Sequence, residues 1–490
     1  PATAASTASA RATAEARRHA NEGARNSGNA SAAPSAELAA KLRQIREAAT
    51  VLPDPDPRPH ATAVLLGHSG VGKSMLLGGL MEVTGSWDTR QVDKFLKERR
   101  QPSKLGSASN DAAAAAEGTR MEHCKTENRR YTILDPPGHK RCVQQAWAAA
   151  AQADLAVLVV SAHSSELEAG LAKGGQTREH AILAKSAGVE SLIVAVNKLD
   201  PDDKAGRWSH ARYEEVRAQI WAALKTVGFK DEEVAFVPIS AATRENLACR
   251  ESDSEDEDQN MCPPSAGWYS GGSMLEVLDG TPLPAHEAHG PLRLLVSGRE
   301  KGKGIATPVV SGRVAQGTVE AGAVAVVVPT GAECGVQAVE VNGKEVRRAT
   351  AGELVQLRLL GSQPSLGQAL CSTEDPLRAA SKFKAQIRFL EIADDMPIIT
   401  PGFRCSLHLH GATEECEVAK LIEAVDPRTK KKEANPKFVR APMVALCVLT
   451  LSAGHEVPAE AGDGRFARFS LRTDGGTIGV GKVAELPKVK

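Results

Sequence analysis

The chain has 490 residues, 42% of them hydrophobic and 3% aromatic, which is enough apolar material for roughly three cored domains. Lys plus Arg and Asp plus Glu number 60 each, so no general attraction to polyanions is expected, and any nucleic-acid contact must come from a local patch. No apolar run reaches about 18 residues, no secretory h-region is present, and the nine cysteines are odd in number without metal spacing, so the expectation is a cytoplasmic protein with reduced thiols and no membrane span.

Residues 1 to about 34 are rich in Ala, Ser, Thr, Arg and Asn without apolar periodicity and read as a disordered tail. The chain starts at Pro1 rather than Met, so further residues are expected upstream. Ser35 can cap a short helix with Leu38, Leu42 and Ile45 on one face and Glu37–Lys41 paired at i,i+4. Pro53-Asp54-Pro55-Asp56-Pro57 then breaks the chain. From 62 to about 245, apolar strand runs (Ala63–Leu66, Tyr131–Leu134, Leu155–Ser161, Leu192–Val196, Val234–Ile239) alternate with helical stretches such as Thr177–Ala187 and Tyr213–Lys225. That alternation predicts an α/β domain with a doubly wound, mostly parallel sheet, which binds ligands at the carboxyl ends of its strands.

The motifs fall at those strand ends. Gly67-His68-Ser69-Gly70-Val71-Gly72-Lys73-Ser74 fits G-x-x-x-x-G-K-[ST], the phosphate-binding loop, between the strand Ala63–Leu66 and a helical pattern that begins at Ser74. Its glycines let backbone N–H groups point at a triphosphate, Lys73 can reach the β- and γ-phosphates, and the Ser74 hydroxyl can ligate Mg²⁺. Asp135-Pro136-Pro137-Gly138 follows the next strand. There Asp135 can hold the same ion through water, and the Gly138 N–H can meet a γ-phosphate. Asn197-Lys198-Leu199-Asp200 is the more specific signal. Asp200 can accept from the N1–H and N2–H₂ of guanine, which adenine lacks, while the Lys198 stem lies over the ring. Ser240-Ala241, after a further strand, can offer a backbone N–H to guanine O6. Together these predict GTP as the ligand.

Residues 251–258 form an acidic run, read as a solvated loop. Beyond it, Val-rich, Gly-punctuated segments such as Val309–Val314, Ala323–Val328 and Leu354–Leu360 predict β-barrels, and a break near Glu374–Ala379 divides them in two. The predicted organisation is 1–58 tail, short helix and linker, 59–286 GTP-binding domain, 287–377 one antiparallel β-barrel, and 378–490 a second.

This layout over about residues 59–490 resembles the translational GTPases of the elongation factor one-alpha type. The resemblance is most specific in Gly174-Gly175-Gln176-Thr177-Arg178-Glu179-His180-Ala181, with Asp135–Lys140 and Gln152–Val159 also close. Within the group, Tyr131–Asp135, Leu407–His410 with Glu414–Val418, and Phe469–Arg472 leading to Thr477–Val483 favour the branch of release factor GTPases. Membership there implies GTP and Mg²⁺ as cofactors, GTP hydrolysis, and a monomer that escorts a stop-codon-reading release factor and engages the ribosome transiently, without membrane or sequence-specific DNA binding. It also implies that His139 positions the attacking water and that the second barrel carries the docking surface for the factor. The ribosome-rescue GTPase that works with Pelota, the aminoacyl-tRNA carrier elongation factor one-alpha, and a non-hydrolysing scaffold of the same fold are the alternatives. The chain departs from the family at Ser69-Gly70, at Pro136, after His139, and most in the first switch, where Ala112 to Ala116 precede Glu117-Gly118-Thr119. Thr119 is the candidate for the switch threonine that senses the γ-phosphate and metal. The basic run Lys430-Lys431-Lys432, with Lys437 and Arg440, reads either as a hairpin tip or as a contact for ribosomal RNA or protein.

Overall fold

A computed structural model describes residues 36–100, 119–138, 142–172, 174–199, 208–248, 266–300, 308–390, 398–427, 429–473 and 476–487. Six strands form the first sheet: β1 (His60–Leu66), β2 (Arg120–Lys125), β3 (Arg130–Asp135), β4 (Leu155–Ser161), β5 (Ser191–Asn197) and β6 (Val234–Pro238). Their order is β2-β3-β1-β4-β5-β6, with β2 antiparallel to β3 and the others parallel. The strands β1, β3 and β4 are buried along their whole length, as expected of a parallel sheet covered on both faces. One face packs on Leu76, Leu77 and Met81, and the other on Trp147, Leu183 and Val216. The short β2 escapes sequence reading because its side chains are mostly half-exposed and polar. Among the described residues, no helix is long and apolar enough to cross a membrane.

Two antiparallel barrels follow. In the first, Val324–Val328, Ala369–Cys371, Arg293–Glu300, Val309–Gln316, Leu354–Gly361 and Ala332–Val341 pair in that order, and the last closes back on the first. In the second, Phe403–Leu409, Arg468–Thr473, Gly476–Glu485, Lys382–Phe389, Val444–Leu451 and Ala412–Val425 do the same. The strand Lys382–Phe389 alternates exposed and buried residues throughout, the signature of a sheet with one wet and one packed face.

The helix α1 (Ala36–Ala49) is a docked element rather than part of a free tail. Leu42 is buried, Ile45 and Ala49 join the core of the first barrel, and Arg46 donates to the Gly322 carbonyl at 3.3 Å. Gly335 makes this possible, since a Cβ there would lie 2.6 Å from a Leu42 methyl.

Buried charge ties the barrels to the first domain. Asp154, just before β4, accepts from the Thr62 N–H at 3.0 Å and receives Arg313 from the first barrel and Arg465 (3.2 Å) from the second, with His286 at 3.5 Å. Burial alone would raise this carboxyl, but the surrounding cations hold it below the usual range. Arg130 pairs with Glu353 of the first barrel at 2.9 Å, again out of solvent.

Candidate nucleotide site

The loop Gly67–Gly72 leaves β1 and enters α2 (Lys73–Val83). Two glycines are dictated by space. A Cβ on Gly67 (φ 135°) would lie 2.3 Å from the Val159 carbonyl oxygen, and one on Gly72 (φ 102°) would lie 2.3 Å from Asn197 Nδ2. The helix therefore begins with its unpaired N–H groups beside the loop, where the macrodipole favours an anion. Lys73 is buried and donates to the carbonyls of Gly67 at 2.9 Å and His68 at 2.8 Å, so its ammonium lies in the curve of the loop.

The other motifs converge on the same place. Asp135 ends β3 and is buried, and the Ser74 hydroxyl donates to its Oδ2 at 3.3 Å. A hydroxyl and a carboxylate together form a hard-oxygen donor pair of the type that suits Mg²⁺. Gly138 comes so close to Lys73 that a Cβ there would sit 2.2 Å from Nζ. Thr119 directly precedes Arg120, whose register partner is Asp135, so the backbone brings it beside this corner. Asn197, at the end of β5, is a brace. Its Nδ2 donates to the Val71 carbonyl at 2.8 Å, and its Oδ1 accepts the Ala241 N–H at 2.9 Å. Three loops are thus pinned by one buried amide. The Ala241 N–H, expected to face guanine O6, is used by Asn197, and the Ser240 N–H donates to the Glu245 carbonyl at 3.2 Å. Lys198 has a left-handed backbone (φ 62°) and pairs with Glu166 at 2.7 Å. His139, Asp200, the alanine run Ala112–Ala116 and the acidic run 251–258 lie outside the described residues.

The helix Gln176–Ala187 is α6, after α3 (Thr89–Arg100), α4 (Val143–Ala150) and α5 (Ser164–Leu171), and it makes contacts that its sequence spacing does not disclose. Its His180 accepts the Gly67 N–H on Nδ1 at 3.0 Å, and Gln176 accepts the Ser69 N–H at 3.4 Å. Burial, and then the Lys73 charge, push His180 down to about 3, so the ring is neutral and its acceptor nitrogen is kept. One residue earlier, Glu179 meets Arg472 at 3.4 Å and Thr477 at 3.2 Å on the second barrel. The helix touches the phosphate loop and the second barrel at once. The segment Gly174–Ala181 carries the family resemblance, but the spacing of its residues does not say what they touch.

The segment Leu407–His410, singled out as part of a docking surface, is buried throughout. Leu407 and Leu409 fill the barrel core, and His408 donates to or accepts from Thr413 at 3.0 Å. Any partner on this face must use its exposed neighbours, Arg404 and Glu415 among them.

A model of the elongation factor Tu GTP binding domain matches residues 58–284, and one of the elongation factor Tu C-terminal domain matches 376–487. The chain belongs to this family of GTP-binding proteins. Among its relatives is the eukaryotic peptide chain release factor GTP-binding subunit of Ogataea pini, 34% identical over 443 residues, which are 87% of this chain and 57% of that protein. The chain therefore spans less than two thirds of the length of the curated relatives it matches first. A solved structure of Sup35 complexed with GMPPNP is 30% identical and is covered to 95%, with 88% of this chain aligned and a TM-score of 0.39. The GTPase-like domain of Saccharomyces cerevisiae Ski7, bound to GTP, shares the fold at a TM-score of 0.66 and 15% identity, with 87% of this chain and 97% of that one aligned.

Proposed function

We propose that the protein binds GTP with magnesium, hydrolyses it, and escorts a stop-codon-reading release factor to the ribosome during translation termination. The domains in this reading are 59–286 for nucleotide and the barrels 287–377 and 378–490, after a tail, short helix and linker over 1–58. The observation that carries the nucleotide part is the Asn197 brace, which draws the phosphate loop, the base motif and the Ser240–Ala241 loop into one site. Lys73 would place its charge on the β- and γ-phosphates, and Asp200 would read the guanine edge, with the Lys198 stem over the ring. Ser74 and Asp135, with Thr119 alongside, would hold the magnesium ion, whose charge when bound offsets that of the phosphates. His139, one residue past Gly138, would orient the attacking water. Phosphoryl transfer asks mainly for such positioning and charge stabilisation.

The release-factor part rests on the named relatives and on the branch-specific segments. A cytoplasmic monomer fits this reading. Two measurements test it. Filter binding should show ATP at least about a hundredfold weaker than GTP, because a lost bidentate contact at a buried site costs ~1–3 kcal/mol or more; equal affinities would remove the guanine assignment. A pull-down should retain the stop-codon-reading factor in preference to Pelota, and the reverse preference would move the chain to the rescue branch. The alanine-filled stretch Ala112–Ala116 favours a second reading, a scaffold that keeps the fold without hydrolysis.

A further inference from the structure

The basic segment of the second barrel has surroundings that narrow its partner. The hairpin between Ala412–Val425 and Lys432–Ala434 is held by backbone bonds from Lys430 N–H to Asp426 and from Asn435 N–H to Ile422, both at 2.8 Å, with Lys430 (φ 56°) and Asn435 (φ 48°) in left-handed conformations. The tip is therefore a shaped loop. Lys432 is paired to Glu423 at 3.1 Å, whereas Lys430, Lys431, Lys437 and Arg440 are exposed and make no ion pair among the described residues. Beside them the chain exposes two large apolar side chains. Ile399 and Val439 exchange two backbone hydrogen bonds and face the core, which turns their neighbours outward. Ile398 is 61% exposed and Phe438 50% exposed, two of four large apolar side chains so placed among the described residues. The segment also begins and ends on one rim. Pro427 before it and Pro442 after it both line a cleft of about 530 Å³ between this barrel and the first domain, to which Arg178, Lys185 and Arg388 contribute.

We infer that this surface binds unpaired RNA. Unpaired cations on a shaped loop fit a phosphate backbone, and an exposed phenyl ring between Lys437 and Arg440 fits a splayed base, which duplex RNA does not present. An acidic protein could meet the lysines and cover the ring too, but a cationic loop combined with an exposed aromatic is the pairing that single-stranded nucleic-acid sites use. The balanced charge of the whole chain makes a local patch of this kind the place where such affinity would reside.

The test uses the full chain and a labelled oligouridine RNA, with fluorescence anisotropy across a salt series. Neutralising Lys430, Lys431, Lys437 and Arg440 together to Ala should lower the log–log salt slope by about 2 to 3, at ~0.7 per phosphate contact on a single strand. Phe438→Ala should weaken binding roughly fivefold or more and leave the slope unchanged, since stacking releases no counterions. Substituting Lys344 and Lys382, exposed lysines elsewhere on the barrels, should change neither. Thermal melting of each variant checks that it is folded. An unchanged slope in the quadruple variant would overturn the inference. So would loss of stop-codon-reader binding with RNA affinity intact, which would make the surface a protein interface. Equal affinity for duplex and single strand with no effect of Phe438→Ala would overturn it as well.

Discussion

Asn197→Ala removes two buried hydrogen bonds without touching a phosphate-binding side chain. The parent amide donates to the Val71 carbonyl at 2.8 Å and accepts the Ala241 N–H at 2.9 Å, with the residue 4% exposed. Each backbone group left unpaired in such a place costs about 1–3 kcal/mol, so the pair amounts to ~2–6 kcal/mol, reduced where water can enter the space. The loss falls on the two loops that must hold their shape for a nucleotide to bind. Even its lower end corresponds to an affinity about 30-fold weaker. Calorimetric titration with GDP and a non-hydrolysable GTP analogue, run beside thermal melting, separates site from fold. Asn197→Asp sharpens the comparison, because it keeps an acceptor for Ala241 but turns a carboxylate toward the Val71 carbonyl. Gly72→Ala should mimic the loss, because the added Cβ would come within 2.3 Å of the same amide nitrogen. A variant that melts earlier but binds nucleotide within about twofold of the parent would show that the brace serves the fold alone.

Asp200→Asn should move base preference toward xanthine nucleotides, whose C2 oxygen can accept from the new amide; unchanged GTP preference in competition binding would remove Asp200 from base reading. Asp154→Asn leaves Arg313, 2% exposed, without its counter-charge, and should lower unfolding stability by ~3–5 kcal/mol, read as a shift in the urea midpoint; an unmoved midpoint would mean the cations find other partners. His180 is held neutral to about pH 3, while the unfolded chain protonates near 6.5, so its stabilising contribution is intact above 6.5 and is lost as pH falls from there toward 3. At pH 5 that loss is on the order of 2 kcal/mol, and His60 and His410, likewise pushed down to about 3 by burial, add to the same slope. His180→Gln keeps an acceptor for the Gly67 N–H and should flatten part of the acid limb in urea melts; an identical limb would rule His180 out as a source.

What sequence could give here was whatever is written locally. The phosphate loop is legible because its glycines and Lys73 act within eight consecutive residues, and the strand Leu155–Ser161 because a doubly buried strand is a continuous apolar run. Asp154 sits one residue before that strand and gives no local sign of its role, since its partners Arg313 and Arg465 lie 159 and 311 residues further on. The docking of α1 was hidden for the same reason. Its amphipathic face was readable, but the receiving Gly335 is an ordinary strand glycine until the two meet. The burial of Leu407–His410 also depends on long-range packing. Leu407 and Leu409 face the barrel core while His410 packs edge-on against Phe466, so both faces of the strand are covered there and the segment itself offers a partner no surface.

In the proposed function, this chain turns over GTP on the ribosome together with a release factor. Single-turnover hydrolysis of labelled GTP, with ribosomes and the stop-codon-reading factor present or absent, tests it directly. Strong stimulation is expected when both are present, with a drop of ~10²-fold or more in His139→Ala at nearly unchanged GTP affinity, because a water-positioning group acts in the transition state. A folded, GTP-binding parent that shows no stimulated hydrolysis would contradict a hydrolytic role and leave the non-hydrolysing scaffold in its place.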